Sequence, residues 1–167
     1  MDTNKLILLK VDLDAQMNEI ARIHEKLLNR IAKIKTDDEA ILESIAYQIH
    51  NLYCATEDLL KIIASCFENN ISNSGQWHSL LLQRMSMEIP GIRPAFLSPN
   101  TYSILNNLRG FRHFFRHAYG ANVEYEHLKI NWEKALNLKE NLEKDMNKFL
   151  SLLNNDSANE ILHFDSM

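Results

Sequence analysis

Apolar residues recur at three- and four-residue intervals over long stretches of this chain, and that spacing constrains its fold more than any other feature. Ile20, Ile23, Leu27, Ile31 and Ile34 mark one face of a helix running from about residue 5 to residue 35. Ile41, Ile45, Ile49, Leu52, Leu59, Ile62 and Ile63 mark a second helix that runs to about residue 68. Only 4 Gly and 3 Pro interrupt 167 residues, too few for the many tight turns of a sheet protein, and no alternating strand pattern is visible. The expectation is an all-α, up-and-down helical bundle of four long helices plus one short helix.

Stop and start signals divide the chain. Thr36-Asp37-Asp38 supplies an N-cap and first-turn acids for the second helix. Residues 69–75 read as a loop. A short helix from Gln76 to about Glu88 carries Trp77, Leu80, Leu81 and Met85, and Pro90-Gly91-Ile92-Arg93-Pro94 stops it. Ser98-Pro99-Asn100 places an N-cap before a proline at the first helical position, opening a fourth helix through about Tyr119 with Gly120 as its stop. A fifth runs from about Asn122 to Leu153. Residues 1–153 are thus expected to form one helical domain, and residues 154–167 a polar, loosely ordered tail.

The 46% apolar and 24% charged content supports a proper core and excludes a disordered chain. Leu6-Ile7-Leu8-Leu9 is too short for a signal segment or membrane span, so a cytoplasmic protein with no membrane partner is expected. Cys54 and Cys66 cannot form a disulfide framework and lack zinc-ligand spacing. His50 and Cys54, four apart, have no third ligand beside them, so neither a metal nor a cofactor is expected.

A net charge of −4 argues against a nucleic-acid binder only as an average. Between Glu88 and Glu124 lie 35 residues without one Asp or Glu, in a chain that carries 22 acids. Arg93, Arg109, Arg112 and Arg116 give this window +4, and the other 132 residues then carry −8. On a helical wheel Ile104, Leu108, Phe111, Phe115 and Ala118 face the core, while Arg109, Arg112, His113 and Arg116 share an adjoining arc about 100° wide. Acids on neighbouring helices would neutralise these arginines in a plain interaction bundle. Otherwise the missing counter-ion is a ligand, and arginine forks with His113 and His117 suit phosphate.

Leu108-Arg109-Gly110-Phe111-Arg112-His113-Phe114-Phe115-Arg116-His117-Ala118-Tyr119 contains Arg, four residues, His, one residue and Tyr near a helix end. This resembles the R-x4-6-H motif of the HEPN superfamily, and the added Tyr resembles its HepT branch, the toxin half of HepT/MNT toxin–antitoxin pairs. The similarity spans about residues 5–153 in helix order and includes Tyr53-x-x-x-Glu57-Asp58-Leu59-Leu60 and Trp77-His78.

The resemblance implies a metal-independent endoribonuclease that acts on RNA as a homodimer, with two motif helices facing each other across a cleft. Arg112 and His117 match the catalytic pair, with Arg109, His113 and Arg116 beside them for RNA phosphates. It also implies an MNT-type nucleotidyltransferase antitoxin that transfers AMP to the motif tyrosine, here Tyr119. Arg112 and His117 lie about 140° apart on an ideal helix, so their convergence calls for a second subunit or a distorted last turn. The alternative function is a non-catalytic subunit that holds nucleotide or RNA for the partner nucleotidyltransferase. Glu57 and Asp58 are candidate carboxylate supports for Arg112 or Arg116, and Trp77-His78 reads as packing.

Overall fold

The computed structural model describes residues 2–68, 77–117 and 124–164, with the side chains of 117 and 156–164 outside that description. Five helices form among the described residues: α1 (Thr3–Ile31), α2 (Glu39–Glu68), α3 (Trp77–Met85), α4 (Pro99–His117) and α5 (Tyr125–Phe164). The architecture is the expected all-α bundle. Helix α2 packs against each of the other four, α1 lies against α2 and α5, and α3 covers the edge where α2 meets α4.

The apolar stripes become the core. Leu9, Leu13, Met17, Ile20, Ile23 and Leu27 of α1 meet Leu42, Ile45, Ile49, Leu52, Leu59 and Ile63 of α2, all buried. Each buried aliphatic side chain contributes roughly 1.5 to 3 kcal/mol relative to exposure. Phe149 of α5 stands edge-on to Phe67 at 6.1 Å and to Phe96 at 5.4 Å, tying the end of α2 and the segment before α4 to the last helix.

Helix starts follow the capping residues. Asp38 Oδ1 accepts from Ile41 N at 3.2 Å and opens α2. Ser98 Oγ accepts from Thr101 N at 3.3 Å, with Pro99 in the first helical position of α4. Ser98 also donates to the buried Asp145 of α5, through its N–H at 3.0 Å and its hydroxyl at 3.1 Å. The carboxylate thereby fixes where α4 begins.

Three boundaries depart from the expected ones. Helix α1 ends at Ile31, and Lys33 and Ile34 bond three residues back, so the chain tightens into turns that still pack Ile34 on the core. Helix α3 ends at Met85 for a similar reason, since Met87 N bonds Arg84 O. Helix α5 does not stop at Leu153 but continues to Phe164. No Gly or Pro interrupts that stretch, and each added residue gains a backbone hydrogen bond. The loop expected at 69–75, Gly120 and the start of α5 near Asn122 lie outside the described residues, or partly so.

Pro90-Gly91 does more than end a helix. Gly91 adopts φ 72°, a left-handed conformation suited to glycine, and the turn closes with paired backbone bonds between Ile89 and Arg93 of 2.9 and 3.0 Å. The Arg93 side chain, 0% exposed, turns inward onto Glu68 at 2.5 and 2.8 Å. Its guanidinium also donates to the carbonyls of Arg84, Met87 and Pro94. Arg84 reaches the same carboxylate. Arg93 is therefore a structural clamp and leaves the positive window, where the sequence had placed it.

Removing one member of a buried ion pair strands the other charge, at a cost of about 3 to 5 kcal/mol. Arg93→Met should lower the urea-unfolding free energy by about 3 kcal/mol, the low end because Arg84 still meets Glu68. The double change Arg93→Met with Glu68→Leu should restore most of that loss. A single-variant loss below about 1 kcal/mol would show that the clamp does not hold the fold.

Candidate functional site

The acid-free stretch takes in the whole of α4, and its three remaining arginines lie in the C-terminal half of that helix. Leu105, Leu108 and Phe111 are buried, and Ile104 and Phe115 are partly buried against the core. His113, Phe114 and Arg116 are exposed, and Arg109 is half-buried with Nε and Nη2 donating to Asn106 Oδ1 at 3.3 and 3.0 Å. The backbone is helical through His117, whose side chain lies outside the described residues, as do Ala118 and Tyr119.

Arg112 is not on the open face with its neighbours. It turns toward α2, where its Cζ lies 6.0 Å from the Tyr53 ring centroid, within cation–π reach. Its Nε is buried and has no hydrogen-bond partner among the described residues. The Tyr53 hydroxyl and His50 Nδ1 are also buried and unpartnered. Buried polar atoms left so cost about 1 to 3 kcal/mol each, which makes this part of the contact between α2 and α4 the candidate site.

Among the described residues, no carboxylate lies within 4.0 Å of Arg109, Arg112 or Arg116. Neither acid proposed as their support takes that role. Asp58 pairs with Lys61 at 2.7 Å along its own exposed helix face. Glu57 is buried and pairs with His78 Nδ1 at 2.5 Å, because α3 sits over this edge of α2. Trp77 packs as expected, with its ring centroid 3.9 Å from that of His78 and Lys61 Nζ 4.7 Å above it.

Burial sets the protonation of the groups around Arg112, and the neighbouring charges modify it. Burial, and then the charges of Arg112 and Arg116, hold the His50 imidazole below its ordinary pKa. Burial and the Glu57 carboxylate push the Tyr53 phenol well above its usual range, so it stays a neutral donor. Burial raises the Cys54 thiol despite the opposing pull of Arg112, which makes it a poor nucleophile at neutral pH. Cys54 Sγ lies 3.6 Å from His50 Nε2, and no group of three or more potential metal ligands forms among the described residues.

The sequence singled out His50 with Cys54 and Glu57 with Asp58 separately, and did not bring the polar residues of α2 together as one set. His50, Tyr53, Cys54 and Glu57 sit at i, i+3, i+4 and i+7, a stripe at helical spacing inside an otherwise apolar helix. That periodicity was the available sign that one side of α2 faces charged groups.

A scan against protein families matches residues 44–153 to the family described as HepT-like protein. The chain belongs to the HepT-like family. The match takes in α2, α3, α4 and most of α5, and with them each of the site residues above. Searches of the curated proteins and of the solved structures returned no match. No helix among the described residues is long and apolar enough to cross a membrane.

The depressed His50 pKa has a consequence for acid stability. Above about pH 6.5 the imidazole is neutral in both folded and unfolded chains and contributes no pH slope. Below it the unfolded chain takes up a proton that the folded chain refuses, so stability falls with acid until the folded imidazole also protonates. His50→Gln should flatten the thermal-melting profile between about pH 6.5 and 5 relative to the parent. An unchanged slope would remove His50 from the set of buried neutral groups.

Proposed function

We propose that this HepT-like chain is the toxin of a HepT/MNT-type toxin–antitoxin system, a metal-independent endoribonuclease acting in the cytoplasm. The observation that supports it most directly is the contrast among four arginines. Arg93 is neutralised internally, whereas Arg109, Arg112 and Arg116 have no carboxylate within ion-pair distance among the described residues. An acidic chain that leaves three arginines of one helix without an acid is suited to an anionic ligand.

Cleavage proceeds by attack of an RNA 2′-hydroxyl on the adjacent phosphate. Arg112 stabilises the added charge on the phosphorane, and its preorganisation comes from the Tyr53 ring rather than from a carboxylate that would neutralise it. His117 moves a proton. Arg109, His113 and Arg116 hold the flanking phosphates. Because the backbone of α4 stays helical through His117, positions 112 and 117 lie about 140° apart around the helix, which supports a homodimer in which each site draws on both copies.

Neutralisation by an MNT-type nucleotidyltransferase antitoxin completes the reading. An AMP joined to Tyr119 places a negative phosphodiester two to three residues beyond Arg116 and His117, where it competes with RNA for the same charge.

Arg112→Gln and His117→Ala should each lower RNA cleavage by about 100-fold or more while helicity and melting are kept. Cleavage that survives both changes would remove the catalytic role. RNA left intact by wild-type protein that still binds the partner enzyme would favour the non-catalytic binding subunit. Co-expression with that partner should add an AMP mass to the intact protein, and Tyr119→Phe should abolish the adduct. An adduct that persists in Tyr119→Phe assigns modification elsewhere.

A further inference from the structure

The buried pair of Glu57 and His78 has no part in the function above. Glu57 is a carboxylate at 3% exposure near the middle of the bundle, a costly position unless something requires it. Holding α3 onto α2 does not require it, since Leu81, Leu82 and Met85 already bury the apolar face of α3. The contact is specific in chemistry: Glu57 Oε1 accepts from His78 Nδ1, which commits that nitrogen and leaves Nε2 as the one able to act on a ligand. The His78 side chain is 21% exposed against 4% for Glu57, so the pair runs from the interior to the surface.

The pair also continues into the motif site. Tyr53 lies one turn before Glu57 on α2, its phenol senses the Glu57 carboxylate, and its ring faces Arg112. Arg112 over the Tyr53 ring, Tyr53 one turn from Glu57, and Glu57 hydrogen-bonded to His78 place these four residues in sequence across α4, α2 and α3, with Glu57–His78 the one hydrogen bond among them. RNA cleavage needs two proton transfers, one off the 2′-hydroxyl and one onto the departing 5′-oxygen. The Arg-x4-His motif contributes one imidazole per chain.

We propose that His78 is a second proton-transfer residue of the same site, its imidazole oriented and charge-stabilised by Glu57. This rests on the ribonuclease reading. The neutral imidazole carries its proton on Nδ1, facing Glu57, and presents the Nε2 lone pair outward. Nε2 takes the proton of the 2′-hydroxyl as the O2′–P bond forms. The P–O5′ bond then breaks, and the 5′-oxygen leaves with a proton from the His117 imidazolium. The products are a 2′,3′-cyclic phosphate end and a 5′-hydroxyl end. His78 ends protonated and His117 neutral, and proton exchange with water resets both. Glu57 is the positioning residue, and its negative charge stabilises the imidazolium formed on His78.

The test uses the full chain and three readouts. Long-range proton–nitrogen NMR should show neutral His78 with its proton on Nδ1, and a proton on Nε2 overturns the pairing geometry. His78→Gln should lower cleavage of RNA by about 100-fold or more. It should stay as slow on a ribonucleoside 3′-(4-nitrophenyl phosphate), whose leaving group needs no proton, whereas His117→Gln should recover on that substrate. Recovery of His78→Gln there, or RNA cleavage within about threefold of wild type, overturns the base assignment. Glu57→Gln keeps an acceptor for Nδ1–H and removes only the charge, so it should slow cleavage about tenfold, and an unchanged rate overturns its role. Loss in Arg112→Gln and His117→Ala with His78→Gln unaffected overturns this dyad alone. Wild-type protein that cuts neither substrate overturns the parent reading and this role together.

Discussion

Helix α2 lies at the centre of the bundle, with all four other helices packed on it, and this placement decides most of what the molecule can do. A helix surrounded in this way has little solvent face on which to keep polar groups. Every polar residue buried on it must then find a partner inside or bear a desolvation cost. Thr56 meets that requirement locally, donating to Leu52 O at 2.9 Å, and Glu57 meets it across to His78. Tyr53 and His50 do not meet it fully, and they are the residues that stand against Arg112.

Two carboxylates set the position of α4 relative to that central helix. Glu68, at the end of α2, draws in Arg93 and pins the turn that follows α3. Asp145, on α5, holds the N-cap residue Ser98. Both anchors act before or at the first turn of α4. They fix its origin and direction, and leave its C-terminal half, where the arginines gather, to be defined by packing of Phe111 and Phe115 and by the stack on Tyr53. Structural acids thus sit at one end of the helix, and at the other sit bases that have no acid partner among the described residues.

Much of this was legible in the sequence, for physical reasons that can be named. Helix identity followed from the Ile and Leu stripes, and the starts of α2 and α4 from Asp38 and Ser98-Pro99, because capping is a local interaction. The ends of α1, α3 and α5 were less legible. A helix end that tightens into a short turn, or simply keeps propagating, leaves no Gly or Pro to mark it. The positive arc was legible because charge and helical spacing coincide at Arg109, Arg112 and Arg116, whereas the roles expected of Arg112 and His117 rest on resemblance to the Arg-x4-His motif. The environment of the arginines was not legible, because Arg93 has the same side chain and lies in the same acid-free window. Only the inward turn at Gly91 shows that it belongs to Glu68. The partnering of Glu57 with His78 joins residues 21 apart on two different helices, and no one-dimensional pattern relates them.

On the proposed ribonuclease reading, the withdrawal of Arg93 leaves each chain three arginines rather than four for a polyanion. A phosphate strand in solution is already wrapped in small cations, and each arginine that displaces one returns it to the bulk, with a gain in entropy. For single strands the logarithm of affinity falls by about 0.7 per contact for each decade of salt. Three contacts per chain therefore give a dependence of about second order, and two chains acting together about fourth. On that reading, the arginine locked in the core sets how strongly ionic strength would govern RNA binding, without touching the ligand.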